Sequence, residues 1–137
     1  MRDFPTLPSS GVWRLSERPN TDAALVGIHC HPAADKDSLL AALAQALHLP
    51  PDFGMNWDAA WDCLNDPHWM AQRAFTLQLP ETLPVDENAL SIFLQLFSEA
   101  CDAWHEQQQN LLLLVVTTRQ DLPCIQALAE PPHYPAA

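Results

Sequence analysis

The chain has 137 residues, of which 48% are hydrophobic and 17% charged. A chain of this length folds as one domain with its own core, and this composition excludes an intrinsically disordered protein. The 17 acidic and 6 basic residues give a formal net charge of −11, which disfavours binding to nucleic acids and anionic membranes. Such a charge either attracts basic partners or only aids solubility. No apolar run is long enough to predict a transmembrane helix or a secretory signal. We therefore expect a cytoplasmic protein whose four cysteines are free thiols.

Compact apolar runs predict three strands, and segments of helical spacing predict three helices. Their order is strand, helix, helix, strand, helix, strand, which is typical of a small α/β domain with a parallel sheet. The last run is continuously apolar, so we expect a central strand covered on both faces. The strands are predicted over residues 24–29, 73–79 and 110–117. The helices are predicted from Asp35 or Asp37 up to Pro50, over Trp57–Leu64 and over Glu87–Glu106.

Both ends of the chain are assigned to extensions of a central domain over residues 24–118. Residues 1–23 form an N-terminal extension, in which residues 12–15 are either a short edge strand or part of a loose arm. Residues 119–137 form a C-terminal extension, and we expect its proline-rich end to fray.

The predicted helix Trp57–Leu64 has two different faces at about 100° per residue. One face is small and apolar and suits the core, whereas the other combines two tryptophans with two aspartates one turn apart. Like charges at that spacing cost roughly 0.2–0.5 kcal/mol, so this face is typical of an interface for a cationic partner. In the alternative interpretation, both tryptophans turn inward and both aspartates are solvated. The apolar face holds Ala60, Cys63 and Leu64, and the other holds Trp57, Asp58, Trp61 and Asp62.

Residues 50–64 (PPDFGMNWDAAWDCL) combine a proline, an aromatic-Gly-x-Asn turn and an Asp-Ala-x-Trp-Asp-Cys-Leu helix. This segment resembles the signature of the barstar-like family, whose members are small intracellular inhibitors of barnase-type ribonucleases. Residues 94–100 (LQLFSEA) resemble the late helix of that family. The resemblance implies a small three-stranded parallel sheet flanked by helices. It also implies a protein that binds a ribonuclease and does not catalyse a reaction.

The resemblance also implies which residues contact the ribonuclease. Asp62 would take the place of a substrate phosphate among the arginines and the catalytic histidine of the enzyme. Asp58 and Glu99 would pair with further basic residues. The other implied contacts, in the turn and on the helix, are Gly54, Asn56, Trp57 and Trp61.

Asp52 and Phe53 depart from the family pattern, which has two aromatic residues before the glycine. A carboxylate at position 52 can pair with an imidazolium or an arginine, but it cannot stack on a histidine ring. Both residues stay among the expected contacts. The substitution indicates that the cognate enzyme differs from barnase itself.

Three other interpretations stay open. The same fold suits an immunity protein or an adaptor for another basic toxin or partner. A glycoside hydrolase uses a pair of carboxylates, and two of the three residues Asp58, Asp62 and Glu99 could supply that pair, although no other catalytic motif accompanies them. A metal site at residues 29–31 (His-Cys-His) lacks an evident third and fourth ligand. We therefore predict an inhibitor that has no catalytic activity, bound metal or cofactor.

Overall fold

The computed structural model describes residues 10–16, 25–30, 33–49, 54–66, 74–119 and 121–130. Within these ranges the elements over residues 26–116 follow the predicted order, and the predicted bounds of the second and third helices are confirmed. None of the described helices is long and apolar enough to cross a membrane. The elements are β1 (Gly11–Leu15), β2 (Val26–Ile28), α1 (Lys36–Leu47), α2 (Trp57–Leu64), β3 (Ala74–Gln78), α3 (Glu87–Glu106), β4 (Leu112–Val116) and α4 (Pro123–Gln126).

The strands form one sheet in the order β1-β4-β3-β2, and every pair is parallel. β4 lies between β1 and β3, and all its residues are buried. The prediction of a central strand covered on both faces, made from this continuous apolar run, is therefore confirmed. In β3, by contrast, Phe75 and Leu77 are buried while their neighbours are half-buried.

The sheet has four strands and not the three expected from the resemblance. The additional strand is β1, which pairs with β4 along its whole length. At its two ends, the Gly11 N–H donates to the Leu111 carbonyl over 3.0 Å, and the Thr117 N–H donates to the Leu15 carbonyl over 2.8 Å. Because an edge strand exposes a row of unpaired backbone groups, the addition of β1 moves that edge away from β4.

The outer edge of β1 is covered in turn by the residues that follow α4. The Arg14 N–H donates to the Ala129 carbonyl over 3.0 Å, and Arg14 Nε donates to the Leu128 carbonyl over 2.8 Å. Trp13 forms an isolated parallel bridge with Ala129. The sequence predicted no helix in this C-terminal range, yet α4 and the residues after it complete the edge of the sheet.

The three longer helices lie on one side of the sheet. α1 lies against β2, α3 lies against β1, and α1, α2 and α3 contact one another. Right-handed crossovers that step in the same direction across a sheet place their helices on the same face. The centre of the core is aromatic, with ring centroids 6.0 Å apart for Phe75 and Phe97 and 5.2 Å apart for Phe93 and Phe97.

Candidate functional site

The loop before α2 is fixed by the side chain of Asn56, the N-cap residue of the helix. Its Oδ1 accepts a 2.7 Å hydrogen bond from the Ala59 N–H, and its Nδ2 donates to the Gly54 carbonyl over 3.2 Å. A single amide thus ties the first turn of α2 to the loop. A Cβ at Gly54 would lie 3.0 Å from Asn56 Nδ2, so a side chain there would disturb this cap.

The C-terminal end of α2 is held by two further side chains. Asn65 Nδ2 donates to the Trp61 carbonyl over 2.8 Å, and Trp104 Nε1 of α3 donates to the Leu64 carbonyl over 2.7 Å. The second bond satisfies a carbonyl that the helix end leaves unpaired, and the first adds to the 3.1 Å bond from the Asn65 N–H to the same Trp61 carbonyl. α2 has only eight residues, fewer than an isolated helix needs for stability, so its shape depends on these contacts and on packing.

α2 turns one side to the core and the other to solvent. Two of its residues are buried, two tryptophans are half-buried against the core, and two aspartates are exposed. The aspartates are solvated, as the alternative interpretation of the sequence predicted. The tryptophans do not turn fully inward, because each packs partly against the core and remains partly exposed. The three pairs are Ala60 and Leu64, Trp57 and Trp61, and Asp58 and Asp62.

All four cysteines are free, and they differ in burial. Cys30 and Cys101 are buried, and burial raises the pKa of the first thiol to about 11 and of the second to about 12. Cys63 was predicted to face the core but is only half-buried, because it lies at the border of the buried arc of α2. The pKa of the Cys63 thiol is raised, mainly because the thiol is partly buried and to a smaller extent because of the negative charge of the neighbouring Asp62.

A groove with a volume of about 420 Å³ lies between α2 and α3. Its lining combines aromatic and aliphatic surface with two carboxylates, one from each helix. The α3 residues follow the i, i+3, i+4, i+7 spacing of one helix face. The groove is lined by Trp57, Asp58 and Trp61 of α2 and by Ile92, Gln95, Leu96 and Glu99 of α3.

The groove and the exposed side of α2 together form an acidic face with the carboxylates of Asp58, Asp62 and Glu99. The negative charge of this acidic face is not compensated within the described part of the chain. Neither α2 nor α3 contains a lysine or an arginine, and the one ion pair between described residues joins Arg119 to Asp121. Gln95 Nε2 donates to Glu99 Oε2 over 3.1 Å, which leaves the second oxygen of Glu99 available. Such a face can hold cationic groups.

Most of the sequence-predicted contact residues meet at this face. Asp62 lies one turn beyond Asp58, on the exposed side of α2 and outside the groove. Asp52, Phe53 and His31 lie outside the described residues. Trp57, Asp58, Trp61 and Glu99 line the groove together, and Gly54 and Asn56 form the loop before α2.

Sequence reasoning missed three residues on the α3 side of the groove. They are Ile92, Gln95 and Leu96. Their spacing places them on one face of α3 with Glu99, since positions three, four and seven residues apart share one helix face. Only the packing of α2 on α3 makes that face part of the groove.

A second crevice, of about 390 Å³, lies at the carboxyl ends of the strands, where open α/β sheets commonly bind ligands. Its lining includes His29 and Glu81, but several of its polar groups are already engaged. Thr118 Oγ1 donates to Glu81 over 2.7 Å, and Thr117 Oγ1 accepts a 3.0 Å bond from the Arg119 N–H. No three metal-ligating side chains are grouped within the described ranges. The face of α2 and α3 is therefore the stronger candidate.

The family model of barstar, the barnase inhibitor, matches residues 23–116. The chain belongs to the barstar family. Barstar-family proteins inhibit ribonucleases by binding them and are not enzymes. The matched range contains β2 to β4 and the whole groove between α2 and α3, whereas β1 and α4 lie outside it. No curated protein matched the chain significantly.

Proposed function

We propose that this barstar-family protein inhibits a barnase-type ribonuclease by placing the exposed face of α2, with Glu99 of α3, against the basic active site of the enzyme. The observation that carries the proposal is the uncompensated charge of Asp58, Asp62 and Glu99 on one face. A ribonuclease active site must hold phosphate, so it is basic and concave. Carboxylates on a convex helix fill such a site without offering a bond to cleave.

Asp62 is the residue that we place at the phosphate position. Its side chain is exposed, and no described residue hydrogen-bonds to it or pairs with it. It is thus free to accept charge-assisted hydrogen bonds from the arginines and the protonated histidine that hold a phosphate. The fixed ends of α2 support this role, because they hold the helix backbone in place and leave only the side chain of Asp62 to be ordered on binding.

The groove between α2 and α3 is the proposed site for a second basic side chain of the enzyme. Trp57 and Trp61 contribute aromatic surface, and Asp58 and Glu99 contribute charge. A planar guanidinium uses both, because it stacks on aromatic rings and pairs with carboxylates in a fixed geometry. An ammonium would use the charge with less stacking, so arginine is the better fit.

The loop before α2 completes the proposed contact. Gly54 and Asn56 are held together by the 3.2 Å hydrogen bond of the cap, and Asp52 and Phe53 precede them in the sequence. Asp52 places an acid where the family pattern has an aromatic residue, so we propose a cognate enzyme with a basic group opposite this position. The free thiols fit a reducing cytoplasm, where an inhibitor would protect the cell from its own ribonuclease.

The test is an inhibition assay with purified protein and a panel of barnase-type ribonucleases that includes barnase. We expect stoichiometric inhibition of RNA hydrolysis by at least one enzyme. The inhibition should be lost in Asp62→Ala and kept in the matched variant Asp37→Ala, because Asp37 is an exposed aspartate of α1 that lies outside the groove. Failure of the wild-type protein to inhibit any enzyme would contradict the proposal and favour an immunity protein or an adaptor for another basic partner.

A further inference from the structure

Met55, in the loop before α2, combines an exposed apolar side chain with an unusual backbone conformation. It is the one large hydrophobic residue in the described ranges that is clearly exposed, at 38%. Its φ is 52°, in the left-handed region that residues with a side chain rarely adopt and that suits glycine or asparagine. The left-handed conformation costs energy for a residue with a Cβ, and burial of the Met55 side chain does not offset that cost.

The other non-glycine residues with positive φ in the described ranges have a common cause. His48 is the C-cap of α1, and Gln108 comes just after the C-cap of α3. Helices commonly end in a left-handed residue at these positions. Met55 instead precedes the N-cap of a helix, so helix termination does not account for its conformation.

Core packing does not account for Met55 either. A hydrophobic residue just before an N-cap often packs against the fourth residue of the helix, which is Ala60 in α2. Ala60 is fully buried, but Met55 is not among the hydrophobic residues that pack against the core. The bond from Asn56 Nδ2 to the Gly54 carbonyl spans Met55, so the loop holds this residue at the surface.

We propose that Met55 is a contact residue that determines which ribonuclease the protein accepts, by entering an apolar recess beside the basic active site of the enzyme. This inference rests on the proposed function. Met55 lies one residue before the cap of α2 and three before Asp58, next to the acidic face. An unbranched thioether adapts to recesses of irregular shape. The carboxylates speed association, while a buried apolar contact acts mainly by slowing dissociation.

The test compares Met55→Asn and Met55→Leu with the wild-type protein on the same panel of barnase-type ribonucleases. Asparagine tolerates the left-handed backbone but removes the apolar side chain, whereas leucine keeps an apolar side chain. The matched control is Gln108→Asn, which makes the same backbone change outside the acidic face. Association and dissociation rates are measured by stopped-flow fluorescence at constant salt, and the unfolding midpoint is measured in urea.

We expect Met55→Asn to unfold at the same or a higher urea concentration. Its dissociation rate from the most tightly inhibited enzyme should rise about tenfold, the scale of one buried apolar side chain. The increase should differ between enzymes, and Met55→Leu and Gln108→Asn should stay within about threefold of wild type. Unchanged dissociation of Met55→Asn, or an equal increase for every enzyme, would overturn this inference alone. Lack of inhibition by the wild-type protein would overturn the proposed function with it.

Discussion

The indole N–H of Trp104 donates a 2.7 Å hydrogen bond to the carbonyl of Leu64, which lies 40 residues earlier in the chain. Leu64 is the last residue of α2, and Trp104 is in the last turns of α3. Both residues are buried, so this bond forms without competition from water. It fixes the end of α2 on α3 and thereby sets the position of the α2 aspartates relative to Glu99.

Replacing Trp104 with phenylalanine tests this link. The variant keeps most of the apolar area but leaves the Leu64 carbonyl buried without its indole donor, so the free energy of unfolding should fall by about 1–3 kcal/mol. Urea unfolding measures the loss, provided that the m-value stays constant. Trp57→Phe is the control, since Trp57 is only half-buried. A loss no larger than that of the control would show that the hydrogen bond contributes little.

Asp62→Ala should separate binding from stability. We expect its affinity for an inhibited ribonuclease to fall at least about 30-fold, the scale of an interface hot spot. The free energy of unfolding should stay constant or rise by roughly 0.2–0.5 kcal/mol, because the substitution removes the repulsion between Asp58 and Asp62 one turn apart. Titration calorimetry and urea unfolding measure the two quantities. Wild-type affinity in the variant would place the main contact elsewhere.

Added salt should slow association far more than it speeds dissociation. The exposed carboxylates of Asp58, Asp62 and Glu99 attract a basic enzyme over a distance that falls to about 10 Å at 0.1 M salt. Association rates measured by stopped flow should therefore decrease steeply as sodium chloride is added. Glu99→Gln should show a weaker salt dependence than wild type. An association rate that does not change with salt would exclude electrostatic steering.

Local sequence signals were sufficient for much of the fold. The bounds of α2 follow from Asn56 as its cap and from the proline after its end, and α3 follows from its sustained period of 3.6 residues. The sequence predicted β1 only as a possible short edge strand, because its pairing with β4 depends on contacts between residues far apart in the chain. One example is the 2.8 Å bond from Ser10 Oγ to the Leu111 carbonyl, across 101 residues.

Only the α2 side of the acidic face could be predicted from the sequence. Its α2 side follows from the helical wheel, which puts the tryptophans and aspartates together. Its α3 side depends on how the two helices pack, and Ile92 and Leu96 are indistinguishable from ordinary core residues in a periodic helix. Met55 was missed for a different reason, since a positive φ of 52° leaves no mark on a sequence when the residue is not glycine or asparagine.

Alkaline pH should destabilise the protein through its buried thiols. The pKa of Cys30 rises from 9.0 to about 11 and that of Cys101 from 9.0 to about 12, mainly because burial disfavours the thiolate. The native state thus holds these protons more tightly than the unfolded state. The free energy of unfolding should be unaffected well below the unfolded-state pKa and should fall as the pH rises through the range up to the two native values.

Urea unfolding at about pH 8 and about pH 10.5 measures this fall. Cys101→Ala should be less stable than wild type at the lower pH because it leaves a small cavity. Its further loss at the higher pH should nevertheless be smaller, since one of the two thiols is gone. An equal further loss in wild type and variant would mean that Cys101 does not ionise on unfolding.

Removing residues 1–16 tests how far the folding unit extends beyond the range matched by the barstar family model. We propose that residues 24–118 form the barstar-like domain and that β1, although it lies in the N-terminal extension, is needed for full stability. Without these residues β4 loses the pairing from Gly11 to Leu15 and the anchor of Ser10, whose Oγ accepts a 2.9 Å bond from the Leu111 N–H. The free energy of unfolding should fall by more than about 2 kcal/mol.

The same truncation should leave ribonuclease affinity unchanged under conditions where the shortened protein is folded, because α2 and Glu99 lie outside the removed segment. Circular dichroism and urea unfolding measure whether the shortened protein is folded and how stable it is, and an inhibition titration measures its affinity for the ribonuclease. The point variant Ser10→Ala provides a milder comparison, with an expected loss of about 1 kcal/mol. Wild-type stability in the truncated protein would show instead that the central domain folds without its fourth strand.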